Sequence, residues 1–269
     1  MNANANAPTR GTLYLVPTPL DFGCLTDDTP PQALDQWLPV QTVTVAAQLT
    51  HWITENAKST RAFLKRVHGV QALAAPVQEQ HIAELPREAH KKGDHDNVQA
   101  FTDTARALLA PTLLGHDIGL ISEAGMPAIA DPGSSVVRAA HAMGLRVVPL
   151  TGPISLMLAL AASGLNGQNF AFVGYVPAHA EDRVKRLREL ESLAHKTGQT
   201  QIWIETPYRN AALLQSLLQT LQPRTHLAVT CGLHLQQQVS RSASVADWKS
   251  RTLVKDLPLS LPAVFLIGR

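Results

Sequence analysis

Four times in this chain an apolar segment runs into a small polar residue or glycine and then a proline. Leu13–Val16 leads to Thr18-Pro19. Asp117–Ser122 leads through Glu123-Ala-Gly-Met-Pro127 to Asp131-Pro132. Arg146–Pro149 leads to Thr151-Gly152-Pro153, and Gln201–Glu205 to Thr206-Pro207. The last three read as helix starts: a capping residue, then proline at the first helical position, where its fixed φ suits the helix and its missing N–H costs nothing. From Asp131, an apolar stripe of Val136, Val137, Ala140 and Met143 predicts a helix closed by Gly144. From Thr151 or Gly152, Ile154–Ala162 is apolar all round, which predicts a buried helix ending at Gly164. From Thr206, Leu213, Leu214, Leu217, Leu218 and Leu221 share one face. Repeated strand–cap–helix units require an α/β fold with a mainly parallel first sheet and right-handed crossovers. Such sheets bind ligands beyond the carboxyl ends of their strands, where all these proline-bearing loops lie.

The second half reads differently. Gly164-Leu-Asn-Gly167 marks a boundary between an N-terminal lobe, 11–165, and a C-terminal lobe, 166–269. Residues 1–10 read as a disordered tail. The C-terminal lobe reads strand 170–173, helix 181–197, strand 201–205, helix 207–221, strand 226–231, strand 236–244 and strand 263–267. With no convincing helix between the last two strands, its sheet is expected to be mixed.

Composition excludes several classes. Apolar residues make 45% and charged residues 16% of the 269, as in globular chains. No apolar run is long enough to span a bilayer, and the Asn-Ala start lacks a signal peptide's basic and apolar regions, so the expectation is a soluble cytoplasmic protein. Cys24 and Cys231 have neither metal nor redox spacing and are expected to be reduced thiols. No metal is expected, since His90-Lys-Lys-Gly-Asp-His-Asp96 reads as a flexible charged loop. Neither a G-x-G-x-x-G after the first strand nor a P-loop lysine is present, which disfavours nicotinamide dehydrogenases and ordinary NTPases. Residues 1–168 hold 11 basic and 14 acidic residues, and 169–269 hold 12 and 7. That basic second half suits a polyanion, although ordinary solvated helix faces would produce it as well.

Six segments, in order from residue 11 to 268, resemble the tetrapyrrole methylase superfamily. They are Gly11-Thr-Leu-Tyr-Leu-Val-Pro-Thr-Pro-Leu20, Ile121-Ser-Glu-Ala-Gly-Met-Pro-Ala-Ile-Ala-Asp-Pro-Gly133, Val147-Val-Pro-Leu-Thr-Gly-Pro-Ile-Ser155, Phe172-Val-Gly-Tyr-Val-Pro177, Glu205-Thr-Pro-Tyr-Arg209 and Pro262-Ala-Val-Phe-Leu-Ile-Gly268. Within the superfamily they resemble the branch typified by the small-subunit rRNA ribose methyltransferase. The resemblance implies two α/β lobes with S-adenosyl-L-methionine in the cleft between them, and a methyltransferase acting on RNA or a ribosomal subunit. A tetrapyrrole or other small-molecule acceptor is the second reading. A non-catalytic cofactor-binding or RNA-associated protein is the third.

Carried onto this chain, the resemblance makes Pro17, Thr18, Pro19 and Leu20 the first cofactor loop. Ser122, Glu123, Ala124, Gly125, Met126 and Pro127 surround the methionine portion, and Thr151, Gly152 and Ser155 line the cofactor at a helix start. Cys231, Gly232, Leu233, Pro262 and Ala263 are the expected adenine contacts. Free N–H groups at a helix start suit a carboxylate or ribose oxygen, and glycine lets backbone approach a ligand closely. Glu55, at the end of a short β-rich run, is the expected general base, with Asn56 and Lys58 beside it. The rRNA enzymes carry Glu-Asp-Thr-Arg where this chain has Glu55-Asn-Ala-Lys58, which replaces an acid by an amide and a planar guanidinium by a point charge. Arg183, Lys185 and Arg186 are expected to contact substrate phosphate. The superfamily's pairing, with Phe63, Leu64, Val67, Trp37–Val40 and Trp52 read as an apolar patch, implies a homodimer.

Overall fold

A computed structural model describes residues 9–21, 23–24, 31–86, 98–251 and 253–269, with backbone alone for 98–100. Most of the expected N-terminal tail, and the His90–Asp96 segment, lie outside the described residues. The chain divides into two compact units, Met1–Pro153 and Ile154–Arg269.

The first unit is a five-stranded sheet ordered β3-β2-β4-β1-β5, with β1 Thr12–Val16, β2 His51–Thr54, β3 His81–Glu84, β4 Ile118–Ile121 and β5 Arg146–Pro149. Every pair is parallel, as the strand–helix alternation requires. Side chains of adjacent residues leave opposite faces of a strand. Val16, Trp52 and Ile121 therefore join one core with α1 (Val40–Gln48) and α2 (Ala57–His68). Leu13, Ile53 and Leu120 join the other with α3 (Val98–Leu108) and α4 (Ser134–Ala142). Trp52 fits only because its β4 partner in register is Gly119, where a Cβ would lie 2.6 Å from the indole ring.

The second unit also holds five strands, ordered β6-β7-β10-β8-β9: β6 Phe170–Phe172, β7 Thr200–Glu205, β8 His226–Cys231, β9 Val239–Ser244 and β10 Ala263–Gly268. β6 and β7 are parallel and the other pairs antiparallel, giving the expected mixed sheet. α5 (Ser155–Ser163) packs on one face against Ala228, Val264 and Leu266. α6 (Ala180–Thr197), α7 (Asn210–Thr220) and the short α8 (Val245–Ser250) cover the other, around Trp203, Phe265 and Trp248.

Three expectations are corrected. The division falls before α5 rather than in the turn at 164–167, because α5 buries Leu156, Ala159 and Leu160 against the second sheet. α5 is also buried on that face only, and Leu158 is 39% exposed despite a sequence that is apolar all round. Most of the apolar patch assigned to dimer contact is core: Leu38, Trp52, Phe63, Leu64 and Val67 are buried inside the first unit, where the indole N–H of Trp52 donates to Gln80 Oε1, while Trp37 is half-buried and Pro39 and Val40 are exposed. Among the described residues, no helix is long and apolar enough to cross a membrane. Both cysteines are free thiols.

Candidate active site

The carboxyl edge of the first sheet gathers the loops that its sequence marks. Thr18 and Gly125 form an isolated two-way bridge, each N–H donating to the other's carbonyl at 3.0 and 3.1 Å. The Thr18 hydroxyl also donates to the Ser122 carbonyl at 3.4 Å. Leu20 covers Gly125, whose φ of +80° is one that a side chain rarely adopts. Pro17 packs onto Gly152, where a Cβ would stand 2.2 Å from the proline Cγ. The loops 17–20, 122–127 and 151–152 are thus one assembly, and it is internally satisfied. Gly125 spends both backbone groups on Thr18, and Gly152 makes room for a proline. Each of these glycines thus has a neighbour in its own fold that requires it, Leu20 and Thr18 for Gly125 and Pro17 for Gly152.

Beyond this edge the structure places three carboxylates close enough to influence one another. Glu55 follows β2 directly, and Ser122-Glu123 follows β4, the two strands being paired in register at Thr54 and Ile121. The Glu55 carboxyl is pushed up to about 7, first by burial and then by the Glu123 charge, against a backbone hydrogen bond at Glu123 that opposes both. Asp131 is also pushed to about 7, first by burial and then by Glu55, with the Ser122 hydroxyl as its hydrogen-bond partner. Asp131 was expected to cap α4. The cap position is instead Gly133, at φ +126°, and Ala128 and Ala130 before it adopt left-handed conformations, φ +64° and +63°. Strained backbone of this kind persists where the surroundings over-determine it, and here it delivers a carboxylate to the strand ends. Sequence reasoning missed Asp131 as a titrating group because Asp-Pro-Gly reads so well as a helix start.

Asn56, expected beside the base, is the N-cap of α2, its side-chain oxygen accepting from the Lys58 N–H at 2.9 Å. Glu84, at the end of β3, accepts from the next N–H, Ala57, at 2.8 Å. Lys58 itself is exposed. A cavity of about 340 Å³ opens beside Glu123, walled by Thr18, Pro19, Ile121 and Ser122, with Ser59, Phe63, Lys65 and Arg66 from α2. Arg66 is held there by Asp21 at 3.0 Å and by the Gln32 carbonyl. That volume lies within the range of small-ligand sites, about 300–1,000 Å³. Among the described residues, no group of three or more His, Cys, Asp or Glu could hold a metal ion.

In the second unit, the two segments expected to contact adenine are neighbours although 30 residues separate them. Cys231 lies opposite Ala263 in register, and the Gly232 N–H donates to the Pro262 carbonyl at 2.9 Å. The Cys231 side chain belongs to the core, where burial pushes its thiol up to about 11, so this segment offers backbone and Leu233 rather than sulfur. α5 begins at Ser155 after Ile154, with no side-chain cap; the Met157 and Leu158 N–H groups both donate to the Ile154 carbonyl, at 3.1 and 3.0 Å, so the N–H groups its start offers are those of Ser155 and Leu156. Thr151 was expected to cap it, but its carbonyl accepts from the Thr42 hydroxyl at 2.7 Å. Of the expected phosphate contacts, Arg183 is tied to Ser216 and the Ala178 carbonyl, and Arg186 pairs with Glu189. Lys185 is exposed. Glu205 is buried and holds Arg209 at 2.6 Å, which locks the turn between β7 and α7.

The family described as Tetrapyrrole (Corrin/Porphyrin) Methylases matches residues 51–247. A ribosomal RNA small subunit methyltransferase I of Vibrio cholerae is 38% identical over 128 residues, 48% of this chain and 42% of that protein. The chain thus spans less than half the length of that relative. The protein of the same name in Escherichia coli O157:H7 is 32% identical over 238 residues, 88% of this chain and 71% of that one. Among solved structures, a uroporphyrin-III-C-methyltransferase from Thermus thermophilus superposes with a TM-score of 0.51 at 18% identity, covering 96% of this chain and 94% of that one.

Proposed function

The chain belongs to the tetrapyrrole methylase family, and from that premise we propose that it is an S-adenosylmethionine-dependent methyltransferase whose acceptor is ribosomal RNA. The observation that carries this reading is the Glu55 carboxyl, pushed up to about 7 at a strand end and within reach of the charge of Glu123, which lines a cavity of about 340 Å³. A general base works best when its pKa lies near the operating pH. Glu55 then accepts the proton that a ribose hydroxyl loses on methylation, and Ser122 and Asp131 fix the surroundings in which it does so. Asn56 positions α2 rather than touching the acceptor.

The donor set of the chain suits the cofactor. The uncapped first turn of α5, at Ser155, fits an anionic carboxylate or a ribose oxygen. Backbone of Gly232 to Leu233 and of Pro262 suits a purine edge. Ser122 to Pro127, with Thr18 and Leu20, are the proposed first-unit contacts. When bound, S-adenosylmethionine supplies a methyl group on a sulfonium, so the protein's share is alignment and proton removal. A cytoplasmic location accompanies an rRNA acceptor. The homodimer rests on the family resemblance alone, and light scattering at micromolar concentration tests it.

The deciding experiment incubates the protein and labelled S-adenosylmethionine with small ribosomal subunits that lack ribose methylation. Label should appear in RNA as a 2′-O-methylnucleoside. Glu55→Gln should lower turnover by about 10²-fold or more while S-adenosylhomocysteine still binds. Label confined to small molecules of a lysate would move the acceptor to the tetrapyrrole class. Cofactor binding without transfer to any fraction would leave a non-catalytic binding protein.

A further inference from the structure

The second unit carries a groove of about 590 Å³ that none of the roles above uses. Arg188, His195 and Lys196 line it from α6, at helical spacings of seven and eight, so they share one face. Arg224 joins them from the turn between α7 and β8. One carboxylate, Glu191, lies at its base, only 4% exposed. Its Oε1 accepts from the Gln222 N–H at 2.7 Å and from the Thr225 hydroxyl. Having given its only proton to Glu191, that hydroxyl accepts from His195 Nε2, 2.8 Å away. The carboxylate is therefore answered by a backbone amide and a hydroxyl, and the imidazole is held in one tautomer.

The three cations are not answered. Arg188, Lys196 and Arg224 are exposed, and no described carboxylate pairs with any of them. A helix carboxyl end favours positive charge in its last turn, which explains His195 and Lys196. That effect does not reach Arg188, two turns earlier, or Arg224, which is on no helix. Both belong to the basic half of the chain, 12 basic against 7 acidic residues over 169–269.

We infer that this groove docks the phosphate backbone of the RNA acceptor, apart from the carboxylates assigned to methyl transfer. The inference rests on RNA being the acceptor. An open groove with cations from two elements suits successive phosphates of one strand, and contacts of this kind orient a nucleic acid without reading its sequence.

The test compares the wild type with Arg188→Ala/Lys196→Ala/Arg224→Ala for binding of a labelled small-subunit rRNA fragment between 50 and 200 mM salt. Fluorescence anisotropy reads affinity, and circular dichroism with S-adenosylhomocysteine binding confirms an intact fold. Each lost phosphate contact should flatten the slope of log K against log salt by about 0.7–0.9, so the triple variant should lose about 2 or more. Arg224→Glu alone should weaken binding more than Arg251→Ala, which removes a cation already paired with Asp247. A triple variant with wild-type affinity and slope overturns the groove while RNA methylation by the wild type stands. A wild type that neither binds nor methylates RNA overturns the functional reading and the groove with it.

Discussion

Glu55 and Asp131 share their environment, and each should make pH visible in a different measurement. Their carboxyls ionise near 7, against ordinary values of 4.5 and 3.8. Between those limits the folded protein holds protons that the unfolded chain has released, so stability is greatest at the acid end and falls as pH rises through 7. A general base must be ionised, so turnover should rise over the same interval. Glu123 contributes to both shifts by its charge. Glu123→Gln should therefore move the acid limb of the rate profile to lower pH and reduce the loss of melting temperature between pH 5 and pH 8. Identical profiles for variant and wild type would show that the carboxylates do not interact.

At the scale of elements, strand ends and helix starts are set by contacts of different origin. α2 is started by its own sequence, through the Asn56 cap, and by β3 through Glu84. Asn56→Ala should cost about 1 kcal/mol in denaturant unfolding, with the remaining activity keeping the wild-type pH profile. A changed profile would instead return Asn56 to the chemistry. The loop before α5 has no such local cause, since Gly152 is required by Pro17, which lies on another strand's loop. Gly152→Ala should destabilise the fold by about 1–3 kcal/mol through overpacking. Cofactor binding lost with stability unchanged would show that the glycine faces the ligand after all.

For the whole molecule, ligand binding and folding are linked. S-adenosylhomocysteine at about 100 times its dissociation constant should stabilise the native state by about 2.7 kcal/mol if it binds only that state. No thermal shift at millimolar concentration, in protein shown to be folded, would count against the proposed cofactor. The described charges also differ by region: the carboxylates collect at the first sheet's carboxyl edge, and the unpaired cations in the second unit's groove.

Periodicity and punctuation in the sequence determined the α/β class, the parallel first sheet, the mixed second sheet and the edge where the loops gather. Those features follow from near neighbours: a capping residue, a proline at a helix start and an alternating or helical apolar face act within a few residues. The place of Glu55 directly after β2 was legible too, because a carboxylate at the end of a short strand needs only local reading. Tertiary structure alone decided the rest. It turned Trp52 into core opposite Gly119, gave α5 to the second unit and took Asp131 from a helix cap to the side of Glu55. It also brought Arg224 to the face of Arg188 and buried the intervening Glu191 charge against Thr225. These outcomes depend on burial and on charges distant in sequence, which a local pattern does not encode: the same Asp-Pro-Gly or Arg is a cap, a base's neighbour or a phosphate ligand according to what folds against it.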